Sequence, residues 1–243
     1  MMLLVATVQM AGANIADHVV ISEMCVTGDT EWVELYNPTD GAIDLSNTPI
    51  YLCYYSQSKD WNKPSNPGVS TNKRKLSGTI PAHGFYLVRI DGSTDDIPNP
   101  DYDWGYDGVA STLSDSQGSI GIFPCDPVDY DSSDDANAGR IDAVAWGTVS
   151  HVKEGDEASV PNSTQTIQRK VNDTINESDT YGPAWDSDDN SADFFIQASP
   201  NPVNSSGNPV APLPELPTII LTATGILVLA GYASLRRSRK TDK

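Results

Sequence analysis

Between residues 18 and 199 the chain never settles into a helical repeat, and this limits its fold more than any other feature. Short runs rich in β-branched and aromatic residues alternate with clusters of Gly, Pro, Asn, Asp and Ser. The clearest runs are residues 19–23, 32–36, 50–55, 85–90, 119–123 and 143–146. Within 32–36, Val33 and Leu35 point one way while Trp32, Glu34 and Tyr36 point the other, the period of two that a sheet requires. Many short strands with turn signals between them predict an all-β fold, a sandwich or a barrel. At roughly 180 residues this is one domain with long loops, large enough for its own core.

The C-terminus follows a different rule. Pro214, Glu215, Leu216 and Pro217 precede an uncharged apolar run over 218–235, which ends in Arg236, Arg237, Arg239 and Lys240. The run lies at the short end of the ~17–25 residues a spanning helix needs. Its cations belong on the cytoplasmic side, so the predicted topology puts the N-terminal bulk outside the cell and residues 236–243 inside. The N-terminus is read as a signal peptide over residues 1–16. Leu3, Leu4, Val5 and Val8 form a short apolar core ahead of the small residues Ala11, Gly12 and Ala13; a positively charged start is missing, and a first β-strand is the alternative.

Charge narrows the choice of partner. The chain holds 33 Asp+Glu and 15 Lys+Arg. Residues 236–243 contain one acid and five bases, so the remainder carries 32 acids against ten bases, a net of −22. Such a surface repels phosphate backbones, so no nucleic-acid partner is expected. Cys25, Cys53 and Cys125 are an odd set for an oxidising exterior; Cys25 and Cys53, both in strand-like runs, are the first guess for a pair. Asn162, Asn172, Asn176 and Asn204 each open an Asn-x-Ser/Thr sequon and are glycosylation candidates.

Several pieces, in order, resemble the lamin-tail domain: Ile21-Ser22-Glu23, then Trp32-Val33-Glu34-Leu35-Tyr36-Asn37, then Ile43-Asp44-Leu45-Ser46. Further on come Leu76 to Gly84 with Phe85-Tyr86-Leu87-Val88, Ile141-Asp142-Ala143-Val144-Ala145-Trp146-Gly147, Thr166-Ile167-Gln168-Arg169-Lys170, and Asp193-Phe194-Phe195 running to Ser199-Pro200-Asn201-Pro202 and Asn204. The resemblance implies an Ig-like β-sandwich over residues 17–203. A Pro/Asn/Ser-rich stalk over 204–217 follows, and then the transmembrane helix 218–235. Trp32 and Trp146 are expected to be packed, and Glu34 and Asn37 to satisfy backbone groups of turns. The pattern reads as a folding signature and not as an active site. The tail is similar to the PEF-CTERM sorting signals of archaeal surface proteins, which implies an archaeosortase-like enzyme as a partner. Leu216 stands where that family usually has Phe, and both a cleaved signal and a lasting anchor fit.

No motif for catalysis is present: there is no Gly-x-Ser-x-Gly, phosphate loop or His-Glu-x-x-His, and His18, His83 and His151 are scattered. No enzyme and no cofactor are therefore expected. Calcium is the one cation to weigh. Asp126, Asp129, Asp131, Asp134 and Asp135 pack carboxylates into one loop, with Asp129, Asp131 and Asp134 the candidates, and Asp101, Asp103 and Asp107 form a sparser group. A solvated acidic hairpin is the plainer reading of both. The segment Lys59, Trp61, Lys63, Lys73, Arg74 and Lys75 is a loop that either meets an anionic partner or offsets the acidic surface. The expectation is a membrane-anchored, externally exposed, non-enzymatic binding or adhesion protein of an archaeal envelope, with an envelope protein or glycan as ligand. A purely structural envelope component, or an accessory of a secreted hydrolase system, are the alternatives.

Overall fold

The computed structural model describes residues 15–28, 30–56, 73–91, 97, 99–104, 113–130, 138–149, 152–171 and 182–207. All fall within the first of two compact units, Met1–Ala211. The regular secondary structure of the described part is almost entirely strand. The strands are β1 (Val20–Cys25), β2 (Glu31–Asn37), β3 (Ile43–Asp44), β4 (Tyr51–Tyr55), β5 (Lys73–Lys75), β6 (Thr79–Ile80), β7 (Gly84–Asp91), β8 (Tyr102–Asp103), β9 (Gly118–Phe123), β10 (Asp142–Trp146), β11 (Thr166–Arg169) and β12 (Phe194–Gln197). One short helix, α1 (Asn190–Asp193), precedes β12.

Six strands form one sheet in the order β12-β11-β1-β2-β7-β8, and four form a second in the order β10-β9-β4-β5. All pairings are antiparallel except β7 with β8. One core lies between the sheets. Ile21, Met24, Val33, Leu35, Val88 and Ile167 enter it from the six-stranded sheet, and Leu52, Tyr54, Ile120, Ile122, Val144 and Trp146 from the other. The predicted alternation in β2 holds, since Val33 and Leu35 face this core. Trp32 packs outside with Leu87 and Ile97, and Tyr36 outside with Val20 and Ala184. Every residue of β2 is nevertheless buried, because returning segments cover its outer face.

A bulge in β1 decides which of its side chains reach the outer face. The register between β1 and β2 shifts between Ile21 and Glu23. A bulge adds one residue to a strand and re-aims the side chains beside it. Ile21 and Met24 both stay in the core, while Ser22 and Glu23 turn outward, where Glu23 lies opposite Glu34.

Three expectations change here. Cys25 and Cys53 do not pair: all three cysteines are free thiols. Met24 and Leu52 face the common core, so Cys25 and Cys53, one residue on, face outward from different sheets and sit in separate clusters. The basic residues at 73–75 are not part of an open loop but form β5. Lys73 pairs with Asp126, and the Arg74 guanidinium lies 5.1 Å over the Trp104 ring. Finally, residues 204–206, expected to begin the stalk, are fastened to the domain: Asn204 Nδ2 donates to Asn99 O at 3.1 Å and Ser205 N to Asp101 Oδ2 at 2.8 Å, just after Val203 N donates to Glu34 Oε2 at 2.6 Å. At the other end, Ile15 bridges Trp185, and Ala16 N donates to Ala184 O at 2.9 Å. Among the described residues no helix is long and apolar enough to cross a membrane. The predicted span 218–235, the motif Pro214 to Pro217 and residues 1–14 lie outside the described residues.

Candidate functional site

The site grows out of one buried ion pair. Asp142 starts β10 in the four-stranded sheet, and Arg169 ends β11 in the six-stranded one; both side chains are fully buried. Arg169 Nη2 donates to both Asp142 oxygens at 2.7 and 2.8 Å, its Nε to Ile21 O at 2.8 Å and its Nη1 to Trp185 O at 2.8 Å. Asp142 also accepts from Ile21 N at 2.7 Å and Ala143 N at 2.8 Å. Both ions are thus hydrogen-bonded throughout, which a charge needs when water is excluded. Phe194 lies 4.5 Å from the guanidinium.

Two further segments close over this pair. Asn190, fully buried at the start of α1, receives Ala145 N on its Oδ1 and donates from Nδ2 to Ala143 O, covering the free edge of β10 as a strand would. Asp189 caps α1 through Ser191 N and also accepts from Asp156 N. Asn190 N donates to Glu154 O. Glu154 is thereby brought beside Asp142, and the 182–188 segment carries Asp186 and Asp188 to the same place.

The result is a cleft of about 580 Å³ lined by His18, Arg140, Glu154, Asp186 and Asp188 with the backbone around Gly139. Arg140 Nε donates to Glu154 Oε1 at 2.7 Å, and its Nη2 lies 3.3 Å from Asp188 Oδ1. Burial and the charge of Asp142 push the Glu154 carboxyl up, against the pull of Arg140 and Arg169. For Asp186, burial is overridden by the His18 hydrogen bond and by Arg169, which hold it down at about 2. The same hydrogen bond raises His18 despite its partial burial. The arrangement offers fixed donors and acceptors around an open volume. Among the described residues it holds no nucleophile with an adjacent base.

A second groove, of about 650 Å³, runs over the bulge of β1 and is lined by Glu23, Glu34, Phe85, Gln197 and Val203 among others. Its two carboxyls face each other but are satisfied: Glu23 accepts from Thr166 Oγ1 and Glu34 from Ser22 Oγ. Burial pushes them up to about 7 and about 8 respectively. Asp101 continues the row, accepting from Leu87 N and Ser205 N at 2.8 Å each. Glu34 and Asp101 therefore hold the backbone N–H groups of Val203 and Ser205, alternate residues of the outgoing chain.

The residues singled out in the sequence fall mostly elsewhere. Asp129 is exposed at the end of a 3₁₀ turn, Pro127–Asp129, whose cap is Asp126; Asp131 and Asp134 lie outside the described residues. Asp101 and Asp103 serve backbone amides and Arg89. Trp32 and Trp146 are packed, the latter donating Nε1 to Ser114 O at 2.8 Å. Asn37 does satisfy turns, donating to Gly41 O and Pro81 O. His83 sits in its turn at φ 48° with Asp40 2.8 Å away. Asn162 is exposed, whereas Asn204 is buried with its amide nitrogen engaged, so a glycan there would break the bond to Asn99. Asn172, Asn176 and His151 lie outside the described residues. Sequence reasoning misses the cleft residues Glu154, Asp186 and Asp188, because they belong to irregular segments with no motif. Asp142 and Arg169 beneath it are visible as parts of strand patterns, and His18 as one of three scattered histidines.

No family model and no curated protein matches the sequence. Among solved structures, the chain is similar to a DUF4876 family protein from Bacteroides thetaiotaomicron at 16% identity and a TM-score of 0.44, over 74% of this chain and 70% of that one.

Proposed function

We propose that this chain is a membrane-anchored surface protein of the cell envelope. It displays one lamin-tail-like, Ig-like β-sandwich outside the cell and binds an envelope protein or glycan without catalysing a reaction. The observation that carries the binding reading is the cleft around His18, Arg140, Glu154, Asp186 and Asp188, an open polar volume whose walls are held by hydrogen bonds beneath it. A component that serves only as a spacer has no need of convergent charged groups around an open volume. Location is supported by the tail: the Pro214 to Pro217 motif, the apolar run 218–235 and the four cations after it. Its similarity to archaeal sorting signals suggests an archaeal envelope.

The lamin-tail resemblance is supported by the jobs its residues do. Glu23, Glu34, Asn37, Asp142, Arg169 and Asn204 each bond across strands or turns. That use favours a folding signature over an active site and leaves the loops free to vary in what they meet.

The test is capture from native envelope, together with a glycan array, using the full-length protein in detergent micelles. One partner retained by the native protein and weakened on Asp188→Asn, an exposed cleft residue whose change leaves the buried Glu154–Arg140 pair in place, is the expected result. Silence in both formats would overturn the binding reading in favour of a purely structural component.

A further inference from the structure

One buried polar atom of the cleft lining, Glu154 Oε2, has no hydrogen-bonding partner, and another, His18 Nε2, reaches only Asp186 Oδ2 at 3.5 Å. Glu154 is 4% exposed, and its other oxygen is taken by Arg140. A buried acceptor left without a partner is costly, which makes it a pointer to something missing. One oxygen from each of Asp142, Glu154 and Asp186 lies within 4.8 Å of the others. The contacts on Asp186 are long: 3.5 Å from His18 Nε2, 3.6 Å from Arg169 Nη1 and 3.3 Å from Asp188 N. Four carboxyl groups, of Asp142, Glu154, Asp186 and Asp188, converge here with the guanidiniums of Arg140 and Arg169 and the imidazole of His18.

From this geometry we propose that the cleft is a divalent-cation site, with Glu154 Oε2 and an oxygen of Asp186 as its protein ligands and calcium as the ion it fits. Carboxylate oxygens are hard donors, the class calcium takes. The three oxygens lie within 4.8 Å of one another, near enough to share one ion, and calcium's flexible coordination tolerates an irregular set of oxygens that magnesium's strict octahedron does not. The two arginines do not occupy the position: Arg140 holds Oε1 of Glu154, and Arg169 holds Asp142 from behind. Asp142 already accepts from Ile21 N, Ala143 N and Arg169, so it contributes charge and not a ligand bond. Water completes the coordination on the open side. The ion would tie the segment around Glu154 to that around Asp186 whether or not an envelope partner docks, so this inference stands apart from the surface-binding reading.

The experiment uses the full-length protein in detergent micelles, stripped with chelator and titrated with calcium by calorimetry and thermal melting, with magnesium and manganese as parallel arms. Saturable heat and an upward shift in Tm with calcium are expected, weakened at least tenfold in Glu154→Gln and in Asp186→Asn. The second variant covers the case in which the first fails to fold. The variant combining Asp129→Asn, Asp131→Asn and Asp134→Asn should bind as the native protein does. No heat and no Tm shift up to roughly 10 mM calcium, above the weak extracellular range, would overturn the proposal. So would binding that survives both cleft variants but disappears in the triple one, which would move the ion to the acidic loop. Manganese preferred tenfold or more would point to His18 as a ligand and overturn the oxygen-only site.

Discussion

Asp142 and Arg169 are fully buried and bonded only to protein, so neither can exchange its partner for water. Removing one leaves the other as an uncompensated buried charge, which costs about 3–5 kcal/mol. Arg169→Met is expected to destabilise the domain by that amount in chemical denaturation, and Asp142→Asn combined with it should recover part of the loss. The buried glutamates act on stability through pH. Burial pushes Glu23 up to about 7 and Glu31 and Glu34 up to about 8. A carboxyl whose folded pKa exceeds its unfolded value of about 4.5 binds more protons folded than unfolded between those two values, so stability falls as pH rises through that window. Asp186, held down at about 2, works the other way and loses its contribution as pH falls below about 4. Thermal melts should therefore give the highest Tm near pH 4–5, with a steady decline towards pH 8–9. Glu34→Gln should flatten part of that decline while keeping a side-chain acceptor for Val203 N. A Tm that rises from pH 5 to pH 8 would contradict this pH dependence.

At the scale of elements, the legible pieces are those whose pattern is set by one core. The runs 19–23, 32–36, 50–55, 85–90, 119–123 and 143–146 all form strands, because alternating apolar residues have one face to bury. Strands β5 and β8 and helix α1 are not legible. Lys73, Arg74 and Lys75 look like a solvated run until Trp104 and Asp126 are brought against them, and such contacts are tertiary. The same holds for the cleft, whose residues come from four separate segments. The disulfide guess fails for a related reason: spacing says nothing about which sheet a cysteine leaves. A thiol titration of the denatured protein should count three free groups, and a Cys25–Cys53 peptide in a non-reducing digest would contradict the separation of the two faces. Gly147, after the Trp146 strand, is a further test. It has φ 72°, and a Cβ there would lie 2.1 Å from Ser116 O. Gly147→Ala therefore has to shift the adjoining turn and should cost more than the roughly 1 kcal/mol of left-handed strain alone.

For the whole molecule, the two sheets share one core, and carboxylates on the outer face grip the outgoing chain at alternate residues before it leaves towards residue 214. If the proposed membrane tether exists, any pull on it would reach residues 203–205 first. The central claim is that this domain stands outside the cell and is held to the membrane. Intact cells treated with an amine reagent that cannot cross the membrane test it most directly, followed by recovery of the protein from carbonate-washed membranes. The predicted result is labelling at the exposed Lys75 before lysis, in protein that stays with the membrane fraction. Lys75 labelled only after lysis, or protein recovered wholly in the soluble fraction, would contradict it.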